Sequence, residues 1–381
     1  MSSDCFSNLI RRVCAFIGGH ANALCEPAES VAGEAFPALA LDLFAAQFAA
    51  VTPYREFCEA RGATPDRIAD WHDIPAVPTT AFKELDFTSL AGAERTAMFH
   101  SSGTTRQPPS RHFHNAESLA LYEASLLAGF ERHLLPDRAH LASGRMRFLV
   151  LTPRADAAPH SSLAHMFRCV VAAFGRADSA FAGTVGEDGG WVLDGEAATA
   201  ALAEAERAGE PLGVLGSAFS FVHLLDHLEA AGRGFVLPAG SRVLETGGYK
   251  GRSRTLPKPE LHALITRRLG VPAERIVCEY GMSELGSQAY DTVAGVSAPR
   301  VFRFPPWARA VVVSPETGRE VAGGEAGLLR VFDLANVRSV LAIQTEDLAV
   351  RRGDGFELLG RAEQAEPRGC SLMSAPEGVR S

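Results

Sequence analysis

Hydrophobic positions along the chain change their spacing from segment to segment. After Asn115, the residues Leu119, Tyr122, Leu126, Phe130 and Leu134 recur at helical spacing, and Asn115 is a favoured capping residue. Arg147 to Thr152 reads R-F-L-V-L-T, a short buried strand that stops at Pro153. Ala218 to Ala231 is helical and ends at Gly232. Ser241 to Thr246 is strand-like and runs into Gly247-Gly248. Pro259 to Leu269 predicts a helix, with proline at its start and Gly270 just past its end. Ile276 to Tyr280 is again a strand. The Ala/Glu-rich run from Gly195 to Glu210 predicts an exposed helix. Strands and helices in alternation predict an α/β layered core around a largely parallel sheet.

The pattern changes near residue 298. Ala308 to Val321 predicts a hairpin around Pro315-Glu316-Thr317-Gly318. Residues 327–332, 340–344 and 356–359 are further short strands, and Asp354-Gly355 is a tight-turn signal. The expected organisation is therefore an α/β core over residues 1–297, a β-rich subdomain over 298–371 and a polar mobile tail over 372–381.

Composition narrows the partners. A formal net charge of −8 argues against a broad nucleic-acid-binding face, which needs clustered cations. No apolar run is long enough for a membrane span, and the richest stretch, Phe36 to Val51, is broken by Pro37, Asp42 and Gln47. The N-terminus has no basic region ahead of an apolar core, so no secretory signal is expected. The 7 cysteines are scattered without a C-x-x-C pair, which fits reduced thiols in the cytoplasm.

Four segments could carry chemistry. Phe99-His100-Ser101-Ser102-Gly103-Thr104-Thr105 sets four hydroxyls around one glycine; backbone N–H groups and hydroxyls of that kind suit a polyphosphate, and a Ser/Thr-rich surface turn is the plain alternative. Glu279-Tyr280-Gly281-Met282-Ser283-Glu284 follows a strand, where ligands of parallel sheets collect; it offers a ring for a base, a hydroxyl for a phosphate and a carboxylate for Mg²⁺, or simply a strand end with an exposed acid. Gly247-Gly248-Tyr249-Lys250 permits close approach of a flat ring with a cation beside it, or is a loop, and Arg252 and Arg254 extend its basic patch. Gln344-Thr345-Glu346-Asp347 with Gly360-Arg361 suits ribose hydroxyls and a phosphate, or is a turn acid and a surface arginine. Gly213 to Ser220 is either a pocket wall or a helix start. Neither His112/His114 nor His160/His165 has zinc-ligand spacing with a cysteine nearby, so no zinc site is expected. The G-x-S-x-G elbow is absent.

In this order, the four segments resemble the adenylate-forming superfamily of acyl-CoA synthetases, peptide-synthetase adenylation domains and luciferases. Ser101 to Thr105, Ser161-Ser162-Leu163, Gly247 to Lys250 and Arg368-Gly369-Cys370-Ser371 are similar to its LuxE-type acyl-protein synthetase branch. The resemblance implies a large adenylate-forming core plus a small β-rich subdomain. With 20 residues after Arg361, it also implies a chain without the usual C-terminal lid.

The resemblance further implies ATP and Mg²⁺ as cofactors and a fatty acid as substrate. Ser101, Ser102, Gly103, Thr104 and Thr105 would cradle phosphates. Gly247 and Gly248 would border the adenine, and Tyr280, followed by Gly281, would stack on it. Ser283 would touch the α-phosphate, Glu284 would hold Mg²⁺, Asp347 the ribose, and Arg361 the ribose or α-phosphate. Cys370 would take the acyl group and hand it to a partner such as an acyl reductase. The chain departs from the superfamily at Arg106-Gln107-Pro108-Pro109-Ser110, where a lysine is usual, and at Glu346, where glycine is usual. Lys250 is then the candidate cation at the reacting carboxylate. Coenzyme A or a carrier-protein thiol as acceptor, and a non-catalytic nucleotide-binding or partner-binding domain, are the competing expectations.

Overall fold

The structure is a computed structural model, and it describes residues 3–20, 35–101, 108–248 and 254–362. The helices are α1 (Ser3–His20), α2 (Ala35–Ala50), α3 (Thr52–Glu59), the one-turn α4 (Ala81–Glu84), α5 (Ala116–Leu134), α6 (Ser162–Phe174), α7 (Gly195–Ala208), α8 (Ala218–Ala230) and α9 (Lys258–Leu269).

A six-stranded sheet contains β4 (Arg147–Val150), β5 (Ala180–Phe181), β8 (Leu212–Ser217), β9 (Arg242–Thr246), β10 (Ile276–Tyr280) and β11 (Ala289–Tyr290). Its order is β11-β10-β9-β8-β4-β5, and every pairing is parallel except β10 with β11. Side chains alternate between the two faces of a strand. Leu149, Val214, Val243 and Ile276 enter one core with α7, α8 and α9. Their neighbours Val150, Leu215, Leu244 and Val277 enter another with α5 and α6. Burial on both faces is why these strands read as unbroken apolar runs rather than as an alternation. The run at 195–210 is not an exposed helix: Ala198, Ala201, Leu202 and Ala205 of α7 are buried, because small alanines let that face lie flat on the sheet.

The second sheet contains β1 (Val77–Pro78), β12 (Ala308–Val313), β13 (Ala326–Asp333), β14 (Ala342–Arg352) and β15 (Gly355–Arg361), in the order β1-β14-β13-β12 with β15 also on β14. Two further hairpins pair β2 (Ala97–His100) with β3 (Arg111–His114), and β6 (Gly183–Val185) with β7 (Trp191–Leu193). The β-rich unit expected from residue 298 draws in distant chain. β1 pairs in parallel with Ile343 and Gln344, and α1 and α2 share its core. Gln47 of α2, fully buried, donates to the carbonyls of Asn336 (2.7 Å) and Val337 (3.2 Å) and accepts from Leu341 N (2.8 Å). α2 and α3 form an apolar bent pair, and no single described helix is long and apolar enough to cross a membrane.

Two expectations shift. The 315–318 turn closes through a bridge from Val313 to Glu320, but the partner strand of β12 is β13. The β14–β15 turn is Gly353-Asp354 rather than Asp354-Gly355: Gly353 has φ +60°, while Gly355 pairs with Arg352. Gly355 serves close approach instead, since a Cβ there would lie 2.4 Å from Phe302 O.

Asn115 caps α5 as expected, its Oδ1 accepting from Ser118 N (2.9 Å) while Ser118 Oγ accepts from Asn115 N (3.1 Å). Asn115→Ala is expected to lower stability by about 1 kcal/mol, read as a lower urea midpoint at unchanged slope.

Candidate active site

β9 and β10 end side by side, with Thr246 level with Glu279. The segments that follow them, Gly247-Gly248 and Gly281 to Glu284, therefore open at the same end of the sheet. Gly248 has φ +102°, a conformation that side chains other than glycine's strain to adopt, and among the described residues, chain neighbours aside, no atom lies within 4 Å of where a Cβ at Gly247 or Gly248 would sit.

Glu284 is 5% exposed. Its Oε1 accepts from Ser110 Oγ (2.5 Å) and its Oε2 from Ser283 Oγ (3.0 Å). Ser110 N donates in turn to Ser101 Oγ (2.9 Å), and Ser101 N to Ser110 O (3.3 Å). The two roots of the loop between β2 and β3 are thus fastened to Glu284. No cation of the described residues pairs with this carboxylate within 4 Å. A nearly buried, ionisable carboxyl supplied only with hydroxyl donors is a fitting ligand for one divalent cation.

Tyr280 is 9% exposed, and its hydroxyl donates to Asp347 Oδ2 (2.7 Å). Its ring is set among Phe302, Phe304 and Phe356, with centroids 6.1, 6.3 and 5.6 Å away and planes near perpendicular to the last two. Burial, and then the Asp347 charge, push the phenol well above its ordinary range. Asp347 is oriented by its own N–H, which donates to Thr345 Oγ1 (3.1 Å). Arg361 Nε stands 3.6 Å from Asp347 Oδ1 with a side chain 81% exposed, so that ion pair is a weak tether.

The loop after β10 is clamped from behind. Asp333 Oδ1 accepts from Ser287 Oγ (2.7 Å) and Ala335 N (3.0 Å), and Asn336 Nδ2 donates to Glu284 O (2.9 Å). Ser125 bridges to Ser287 (3.1 Å) and accepts from Trp307 Nε1 (2.8 Å). A Cβ on Gly286 would sit 2.8 Å from Ala335 Cβ, so glycine is required where the loop meets this turn. Burial raises the Asp333 carboxyl to about 6. Burial, with Glu245 adding, pushes Glu279 up to about 8.

The structure therefore brings Ser101, Ser283 and Glu284 into one cluster and Tyr280, Asp347 and Arg361 into a second, joined through Gly281, with Gly247 and Gly248 alongside. Ser102, Gly103, Thr104, Thr105, Lys250 and Cys370 lie outside the described residues, as do Arg106, Arg252 and Arg368. Ser110, Asp333 and Asn336 were not among the expected site residues. The only signal was the position of Ser110 opposite Ser101 across a glycine-containing loop. Gly213 to Ser220 is β8 and the capped start of α8, with Ser217 Oγ accepting from Ser220 N (3.3 Å), and every residue in it is buried.

One histidine expectation needs correction. Cys169 lies one helical turn beyond His165, and Glu123 of α5 joins them, with ligand-type atoms within 4.8 Å of one another. Glu123 Oε1 meets His165 Nε2 (2.9 Å) and accepts from Arg168 (3.3 Å) and Cys169 Sγ (3.5 Å), so a cysteine does sit beside this histidine.

The family described as "Acyl-protein synthetase, LuxE" matches residues 26–376. A long-chain-fatty-acid–luciferin-component ligase of Vibrio harveyi is 23% identical over 328 residues, which cover 84% of this chain and 82% of that protein. A 2-hydroxyisobutyryl-CoA ligase, solved in an open conformation with 2-HIB-AMP and CoA, superposes with a TM-score of 0.59 at 13% identity, over 85% of this chain and 74% of that one. The same ligase in its postadenylation state with 2-HIB-AMP gives 0.59 at 13% identity, over 85% and 67%. At such identities the structural likeness is one of fold, and that fold is the layered α/β architecture of adenylate-forming enzymes.

Proposed function

The chain belongs to the LuxE acyl-protein synthetase family, and from that premise we propose that it activates a long-chain fatty acid with ATP and passes the acyl group to its own Cys370. It is a ligase of the acid–thiol class. The observation that carries the reading is the Ser101–Ser110–Glu284–Ser283 knot, which ties a hydroxyl-rich loop to a carboxylate at the open ends of β9 and β10.

In the first step a carboxylate oxygen of the fatty acid attacks the α-phosphorus of ATP, and pyrophosphate leaves. Ser101 to Thr105 take the β- and γ-phosphates by N–H and O–H donation, and Ser283 takes the α-phosphate. Gly247 and Gly248 flank the adenine, against Tyr280 whose ring is fixed by three phenylalanines. Asp347 accepts from the ribose hydroxyls, with Arg361 at the ribose or α-phosphate. Glu284 would hold Mg²⁺, which supplies charge neutralisation at the leaving phosphates. Lys250 meets the attacking carboxylate as the positive group there. In the second step the Cys370 thiolate attacks the acyl carbon and AMP leaves with the bonding pair. The thioester then passes to a partner such as an acyl reductase or a carrier protein.

Three of the other cysteines are buried and are poor candidates for the acceptor. Burial raises Cys58 to about 11 and Cys169 to about 12, and holds Cys278 well above the ordinary thiol range. Thiols so rarely ionised are poor nucleophiles. Incubation with ATP, Mg²⁺ and a panel of fatty acids is expected to add one acyl unit to the intact mass, removable by neutral hydroxylamine. A folded protein that gains no acyl unit from any chain length overturns self-acylation.

A further inference from the structure

We propose that the groove between residues 61–76 and the outer face of the second sheet binds a small molecule of nucleotide size that carries at least two phosphate groups, at a site separate from that of the adenylation reaction. The groove is a cavity of about 800 Å³, within the range of small-molecule sites of roughly 300–1,000 Å³. Its rims carry Arg61 and Arg67 on one side and Arg319 and Arg330 on the other.

None of these four guanidinium groups lies within 4 Å of a carboxylate of the described residues, although the chain as a whole is acidic. Elsewhere in the molecule arginines are usually paired, as Arg111 is with Asp86 (2.8 Å) and Arg176 with Glu210 (2.9 Å). Asp70, Asp73 and Glu320 also line the groove, but none lies within 4 Å of the four guanidinium groups; Asp70 meets His72 instead (2.7 Å) and Glu320 pairs with Arg351 (2.8 Å). Arg330 is half-buried, and its neighbours are neutral acceptors, Gln344 Oε1 (3.1 Å) and Gly318 O (3.4 Å). Desolvation works against its charge. A half-buried cation without an anion is costly unless a ligand brings one.

Guanidinium forks suit phosphate oxygens bidentately. Asp73, on the same wall, is an acceptor for hydroxyl groups, and Ile74, Val311 and Phe332 give an apolar floor for a flat ring. Charged rims, a hydroxyl acceptor and an apolar floor in one cavity match a nucleotide-type anion better than an extended acidic peptide.

Among the described residues, those lining the groove and those placed in the adenylation site do not overlap: Gln344 Oε1 accepts from Arg330 of the groove, whereas Thr345 Oγ1 accepts from Asp347 N, and Asp347 accepts from the Tyr280 hydroxyl. The inference does not depend on acyl transfer.

Trp71 is a built-in reporter, since it packs on Phe332 (4.8 Å) and His72 (3.7 Å), both of which line the groove. Titration of the full chain with ADP and with pyrophosphate, both without Mg²⁺, is expected to give a saturable change in tryptophan emission and a matching calorimetric heat. The Arg67→Gln/Arg319→Gln variant is expected to weaken binding at least tenfold, and Asp347→Asn to leave it intact. In Trp71→Phe the heat should persist while the emission change disappears. Folded protein that shows no saturable binding, binding unchanged in the double arginine variant, or binding lost in Asp347→Asn each overturns the proposal. Pyrophosphate exchange, measured separately, reports on the adenylation site alone.

Discussion

Glu284→Gln is expected to lower ATP–pyrophosphate exchange by about 10²–10³-fold, or about 3–4 kcal/mol of transition-state stabilisation. The amide keeps the shape and an oxygen that can accept from Ser110 or Ser283, so the loop stays in place. What it loses is the negative charge, and charge is the property a divalent cation at the phosphates requires. Because the change is nearly isosteric, the unfolding temperature should move by only a few degrees. Exchange within threefold of the unaltered protein would place the cation elsewhere.

Cys370→Ser separates the two half-reactions. Exchange should remain within about threefold, since the thiol takes no part in making the adenylate. Acylation of the protein should fall below detection, because a serine hydroxyl is un-ionised at neutral pH while a thiol of ordinary pKa, near 8.5, is a few per cent thiolate. Intact mass after incubation with ATP and the preferred fatty acid reads the outcome. Persistent labelling in the variant would transfer the role of acceptor to another cysteine; exchange with no labelling of the unaltered protein would point to an external thiol.

The parts of this molecule that were legible in the sequence are those set by neighbours along the chain. β9, β10 and α9 were read from short apolar runs, proline at a start and glycine past an end, and all three stand where expected within a residue or two. Turn chemistry was nearly enough at 353–355, where the wrong glycine was credited with the turn, because a close contact to Phe302 looks the same in sequence as a positive φ. Interactions between distant segments were not legible. Ser110 and Glu284 are 174 residues apart, and nothing local marks either as the other's partner. β1 is two residues long and includes a proline, too short to carry a period. Asp333 sits in a strand whose apolar pattern hides a buried acid.

Gln47 meets the backbone of Leu341 across 294 positions, and Phe36, Leu39, Leu43 and Phe44 of α2 share a core with Leu329, Val331 and Ile343. During synthesis at about 5–20 residues per second, that apolar helix waits roughly 15–60 s for the strands that cover it. For that interval nascent chains carry α2 without the strands that complete its core, although Leu121 of α5 and Cys278 of β10, which share that core, are made earlier. The apolar face of α2 is thus open to non-native contacts until β13 and β14 have been made.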